Sequence, residues 1–162
     1  MPEYDYIVTN LTVEQEGRFD LQELYAFAKN WILKRQYDLS EKEYKTTQTE
    51  KGNLLRIKWW AFKKIDDYTK VNYDILFLGS NLKKLASKDH EIVEGTLFIE
   101  IESYIEKDYE EIWGKSPVTQ FLREVFDKLF LRGKFGQYET ELKEESYAFR
   151  DALKRFFNGI SY

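Results

Sequence analysis

Cysteine is absent from this 162-residue chain, and histidine occurs once, as His90. Without thiols there is no disulfide, no zinc–thiolate or iron–sulfur site and no cysteine nucleophile. One histidine leaves any histidine-pair metal site to be completed by a second chain. The apolar runs are too short to span a bilayer, and the N-terminus MPEYDY has neither the basic nor the apolar region of a secretory signal. The expectation is a soluble cytoplasmic protein with no membrane partner. The phosphate cradles GxxxxGK[ST] and GxGxxG are missing, so no cofactor is expected. Carboxylates are plentiful, but their spacing selects no catalytic pair and no calcium loop. No catalytic residue and no metal ligand is assigned, and an enzyme ranks last among the functions considered.

What is present is a globular mixture, 43% hydrophobic and 33% charged, with aromatics at 17% (12 Tyr, 12 Phe, 4 Trp). No repeat, low-complexity run or linker divides it, so residues 1–162 read as a single domain able to bury a sizeable core. The net charge of −4 argues against a nucleic-acid binder that uses its whole surface, and leaves room for a local basic patch.

The periodicities predict an α+β protein: strand, helix, four strands in succession, then two helices. A first strand begins near Tyr4 and ends near Gly17, with Ile7, Leu11 and Val13 on one side and Tyr4, Tyr6 and Val8 on the other. Asp20 and Glu23 have the spacing of a capping box, ahead of a helix whose stripe is Leu21, Leu24, Tyr25, Ala28, Trp31 and Ile32. The Thr-rich run Glu43–Lys51 suits a water-facing edge strand. Leu54–Lys64 and the strand ending at Leu78 follow, joined by a turn at Ile65-Asp66-Asp67. Gly79-Ser80-Asn81 reads as a strand break, with one helical turn over Leu82–Ser87. Gly95–Lys107 alternates, with Leu97, Ile99, Ile101 and Ile105 opposite Phe98, Glu100, Glu102, Tyr104 and Glu106. Ser116-Pro117 starts a helix with an apolar face of Val118, Phe121, Leu122, Val125, Phe126 and Leu129, punctuated by Gly133 and Gly136. A last helix runs from about Tyr138 to Phe157 and stops at Asn158-Gly159. Strands joined by short turns pair antiparallel, so the architecture is a meander of about five strands with helices on one face.

Two surfaces are candidates for binding. By parity, Leu55, Ile57, Trp59 and Ala61 point to the core, while Arg56, Lys58, Trp60, Phe62 and Lys64 point away. Rings beside cations suit single-stranded RNA, with bases on the rings and phosphates on the cations. The competing reading has Arg56 and Lys58 paired with Glu100, Glu102 and Glu106 across strands, and Trp60 and Phe62 under the final helix. The second surface is the end of the Ser116 helix, where Arg123, Lys128, Arg132 and Lys134 would gather cations for phosphates. Its competing reading is compensation of the helix dipole.

Two resemblances follow from these stretches. YIEKDYEEIWGKSPVTQFLREVFDKLFLRGKFGQY (Tyr104–Tyr138), with Phe19–Trp31 and the Lys64–Tyr68 turn, resembles an uncharacterised family of small archaeal proteins and implies no activity. The architecture is similar to the helix-grip ligand-carrier superfamily, in which a sheet wraps a long C-terminal helix around an apolar cavity. This chain has fewer strands and ends in two helices. The leading expectation is a non-enzymatic interaction protein docking on RNA, a ribonucleoprotein or a protein partner. The alternatives are a carrier of an apolar small molecule between sheet and C-terminal helix, and a homodimer or other homo-oligomer.

Overall fold

The computed structural model describes residues 3–85, 90–107, 116–126, 128 and 132–159. Strand β1 (Glu3–Asp20) leads into helix α1 (Leu21–Lys34). Strands β2 (Asp38–Thr49), β3 (Gly52–Lys64), β4 (Thr69–Lys84) and β5 (Ile92–Lys107) follow, then helices α2 (Pro117–Phe126) and α3 (Arg132–Asn158). The strands form one antiparallel sheet in the order β1-β5-β4-β3-β2. The expected α+β meander is therefore present, with β1 closing beside β5 and β2 as the far edge.

Strand alternation decides the core. Leu55, Ile57, Trp59 and Ala61 of β3, Val71, Tyr73, Ile75 and Phe77 of β4, and Leu97, Ile99, Ile101 and Ile105 of β5 are buried together. Onto this face α1 brings Leu21, Leu24, Ala28 and Ile32, and α3 brings Leu142, Phe149, Leu153 and Phe157. The helical spacing of each set puts it on one stripe, and each large side chain so buried contributes roughly 1.5–3 kcal/mol. The two helices also meet ring to ring: Trp31 lies 4.6 Å from Phe149 and Phe27 lies 5.1 Å from Phe156.

A polar seam fixes how α3 sits. Tyr37 and Tyr73 both donate to Glu145 Oε1 at 2.7 Å. Ser146 Oγ lies 2.8 Å from Ser103 Oγ and donates to the Leu142 carbonyl at 2.6 Å. Buried hydroxyls need such partners, and these are found only in one register of α3 on the sheet. Turns are equally specific. Asp66 Oδ1 accepts from the Tyr68 and Thr69 amides at 2.9 and 2.6 Å, an Asx turn between β3 and β4. Gly52, with φ +134°, starts β3 where a Cβ would come within 2.8 Å of the Asn81 backbone, so only glycine is accommodated there.

Several expectations are corrected. β1 continues past Gly17 to Asp20, and bulges between Tyr6 and Leu11, with Asn10 at φ 58°, shift its alternation. Val8 is therefore buried on the side of Leu11 and Val13, and Ile7 is half-buried. Gly79-Ser80-Asn81 does not end β4: a register shift absorbs Asn81 (φ 56°), and the strand runs to Lys84 where a helical turn was expected. Residues 86 and 87 of that expected turn, and Leu129, lie outside the described residues. Gly133 and Gly136 do not separate the last helix from its predecessor; they lie inside α3, which begins at Arg132. Two glycines cost about 1 kcal/mol each in a helix, and Phe135, buried with Tyr68, helps offset that cost.

Phe149→Ala is expected to lower unfolding free energy by about 3–5 kcal/mol in urea titration. Burial, with Glu145 next to them, raises the Tyr37 and Tyr73 phenols above their ordinary value. Groups raised on folding contribute stability below their unfolded pKa of about 10 and lose it as pH rises further. Stability should thus fall above about pH 10, and a Tyr37→Phe/Tyr73→Phe variant should show a shallower alkaline decline in the same titration.

Candidate functional site

The same alternation that fills the core leaves a second face that no helix covers among the described residues. Its side chains fall into rows across the sheet, set by the pairing register. Arg56, Leu78 and Phe98 form one row; Lys58, Leu76 and Glu100 the next; Trp60, Asp74 and Glu102 the third; Phe62, Asn72 and Tyr104 the fourth; and Lys64, Lys70 and Glu106 the last. β1 adds Glu14 beside Phe98, Tyr6 beside Tyr104 and Tyr4 beside Glu106. The face thus changes character along the strands, from apolar through acidic to aromatic.

At the apolar end lies a trough of about 700 Å³, floored by Leu54, Leu78 and Phe98 and rimmed by Lys45, Thr47, Arg56 and Glu43. Leu54 is 44% exposed. Arg56 Nε donates to Glu43 Oε2 at 3.0 Å, so its partner is the edge strand rather than the β5 carboxylates expected from the sequence. Next to the trough is a notch of about 190 Å³ bounded by Lys58, Asp74, Leu76, Glu100 and Glu102. Burial raises the Asp74 carboxyl above the ordinary range, with Lys58 opposing. Glu102 is raised by burial, and then by Glu100 and Asp74. Among the described residues no basic side chain lies within ion-pair distance of Glu100 or Glu102.

The aromatic end is organised around itself. Trp60 stacks on Phe62 at 4.3 Å, and its indole N–H donates to Asn72 Oδ1 at 2.9 Å. Lys42 and Lys70 lie over the Trp60 ring, each at 4.9 Å, and Lys70 also covers Phe62 at 4.7 Å. Trp60, Phe62, Phe98 and Tyr104 are all half-buried rather than sealed. They are not under the final helix. A base stacking on Trp60 would compete with cations already placed there.

Of the cations expected at one helix end, Arg123 belongs to α2 and Arg132 and Lys134 belong to α3. Arg123 of α2 donates to Glu3 Oε2 at 2.6 Å. Lys128 and Lys134 are exposed, but Arg132 and Lys134 belong to the first turn of α3. Compensation of a helix C-terminus therefore does not explain them, because they sit at the positive end of a dipole. The apolar face of α2 is turned outward, with Val118 68% and Phe121 64% exposed.

Asp20 caps α1 through Oδ1, and its Oδ2 lies 2.9 Å from His90 Nδ1, which is 3.5 Å from Glu23 Oε1. These three could each offer an atom to a divalent ion, although Asp20 is already engaged as the cap and the helix dipole opposes a cation. Between the sheet and α3, the gap lined by Tyr37, Tyr138, Leu142 and Glu145 holds only about 50 Å³. A larger hollow of about 380 Å³ lies beyond the start of α1, between Leu21, Leu55, Leu82 and Tyr44. Among the described residues, no helix is long and apolar enough to cross a membrane.

Sequence reasoning found the basic and aromatic members of the open face and missed Leu54, Leu78 and Asp74 as site residues. Their common parity was the available signal. Because Glu102 is raised on folding, its contribution to stability is present below about pH 4.3 and lost as pH rises through the folded value. Glu102→Gln should therefore raise the melting temperature at pH 7 and leave it unchanged at pH 3, by calorimetry. No protein-family model matches this chain, and no curated protein matches it in sequence, so the function must be argued from the face itself.

Proposed function

We propose that this chain is a non-enzymatic interaction protein, and that the uncovered face of its sheet is where a macromolecular partner docks. The observation that carries this reading is the trough over Leu54, Leu78 and Phe98. A sheet normally buries apolar side chains under a second layer, and a trough of this size falls within the range of known binding clefts. A sequence without cysteine suits a reducing compartment, and we propose the cytoplasm.

RNA is the second reading. Lys42, Lys58 and Lys70 near the Trp60–Phe62 stack favour it, and the carboxylates between that stack and the trough oppose it. A carrier role would use the hollow beyond α1 rather than the narrow gap beneath α3. Self-association through β2 has less support: Lys42, Lys45 and a bulge between Glu41 and Glu43 protect that edge.

The test is to present the folded chain to a random displayed-peptide library and to a random single-stranded RNA pool. One pool should yield ligands whose affinity falls at least tenfold on Leu78→Glu or Leu54→Glu, both checked for folding by circular dichroism. If neither pool is enriched, or every enriched ligand binds both variants as well as the parent, the reading is wrong. RNA ligands whose salt dependence flattens on Lys58→Glu would select the second reading.

A further inference from the structure

The docking reading leaves the partner's chemistry open, and the charge pattern of the face narrows it. Open-face side chains on one strand recur every two residues, about 6.4–6.8 Å apart. Phe98, Glu100 and Glu102 therefore place an apolar row and two acidic rows at that interval along β5, with Leu78, Leu76 and Asp74 beside them on β4. Three carboxylates share the notch with one cation, Lys58. Asp74 and Glu102 are half-buried and face each other across the strands, which disfavours their charged forms. An extended polypeptide presents alternate side chains on one side at the same interval as these rows. Charge complementarity then selects the occupant: phosphates would be repelled here, and a lysine or arginine would be attracted.

We infer that the face receives an extended segment of a partner protein, with one apolar side chain in the trough over Leu54, Leu78 and Phe98 and lysines or arginines two and four residues along, against Glu100, Glu102 and Asp74. This rests on the docking reading above and adds the partner's chemical class. The trough supplies affinity by burying the apolar group, and the acidic rows supply register and discrimination. Beyond the second cation the segment reaches Tyr104 and Phe62, where a further lysine, arginine or aromatic side chain has ring faces to meet.

The experiment measures fluorescence anisotropy with labelled peptides of pattern Leu-x-Lys-x-Lys, flanked by glycine and serine, and controls with both lysines changed to glutamate or with leucine changed to serine. The parent chain should bind the Leu-x-Lys-x-Lys peptide at least tenfold tighter than either control. Glu100→Gln/Glu102→Gln should weaken it at least fivefold, although this variant relieves repulsion and should fold at least as well as the parent. Leu78→Glu should abolish binding.

Loss on Leu78→Glu with no change on Glu100→Gln/Glu102→Gln would overturn the cation assignment and leave the docking face standing. Binding indifferent to both variants would overturn the assignment of this peptide to the face. Absence of binding at millimolar peptide would overturn the inference alone, since the unbiased pools test the docking reading separately. Two other outcomes would also overturn it: RNA binding strengthened by Glu100→Gln/Glu102→Gln, and self-association of the parent, seen by sedimentation, that Leu78→Glu removes.

Discussion

When Leu142, Phe149, Leu153 and Phe157 of α3 press onto the sheet, they decide which of its two faces is dry. The decision propagates through every strand because side chains alternate strictly. Once Ile57 and Trp59 are beneath the helices, Lys58 and Trp60 must face away. The Tyr37–Glu145–Tyr73 seam makes the choice specific by tying α3 to β4 and to the segment before β2. A slip of one residue would strand these hydroxyls and put the core residues of the slipped strand in water.

That commitment gives the two faces different energetic roles. The covered face carries stability in aliphatic and aromatic burial, with the Tyr37, Tyr73, Ser103 and Ser146 hydroxyls hydrogen-bonded. The open face does not maximise stability: Glu100, Glu102 and Asp74 crowd like charges near an apolar trough, while Arg56 is drawn to the sheet edge. Local arrangements that cost stability cluster where proteins bind. The aromatic end differs in kind, since Trp60, Phe62, Lys42 and Lys70 satisfy one another. Its rings resemble a finished surface cluster more than a vacant stacking platform.

Local residue patterns made much of the fold legible. The cap at Asp20, the stripe of α1, the Ser116 start of α2 and the clean alternation of β5 are each signalled within a few residues. Errors fell where local signals conflict with long-range pairing. Gly79-Ser80-Asn81 has the composition of a turn, yet β5 pairing carries β4 through it. Gly133 and Gly136 look like helix stops, yet the buried contact of Phe135 with Tyr68 lies between them. In β1 the bulges near Asn10 changed the parity that would have exposed Val8.

The candidate site divides the same way. From residue order alone follow the two-faced strand β3, the outward direction of Arg56, Lys58, Trp60 and Phe62, and the outward direction of Glu100 and Glu102, because each depends only on a period of two within one strand. Which of these residues become neighbours depends on register between strands, and register is set by turns, bulges and the seating of α3. The sequence could therefore name the cations and rings but not join Leu54, Leu78 and Phe98 into a trough, nor assign Arg56 to Glu43 and leave three carboxylates around Lys58. Pairing across the sheet decided that, through contacts between residues far apart in the chain.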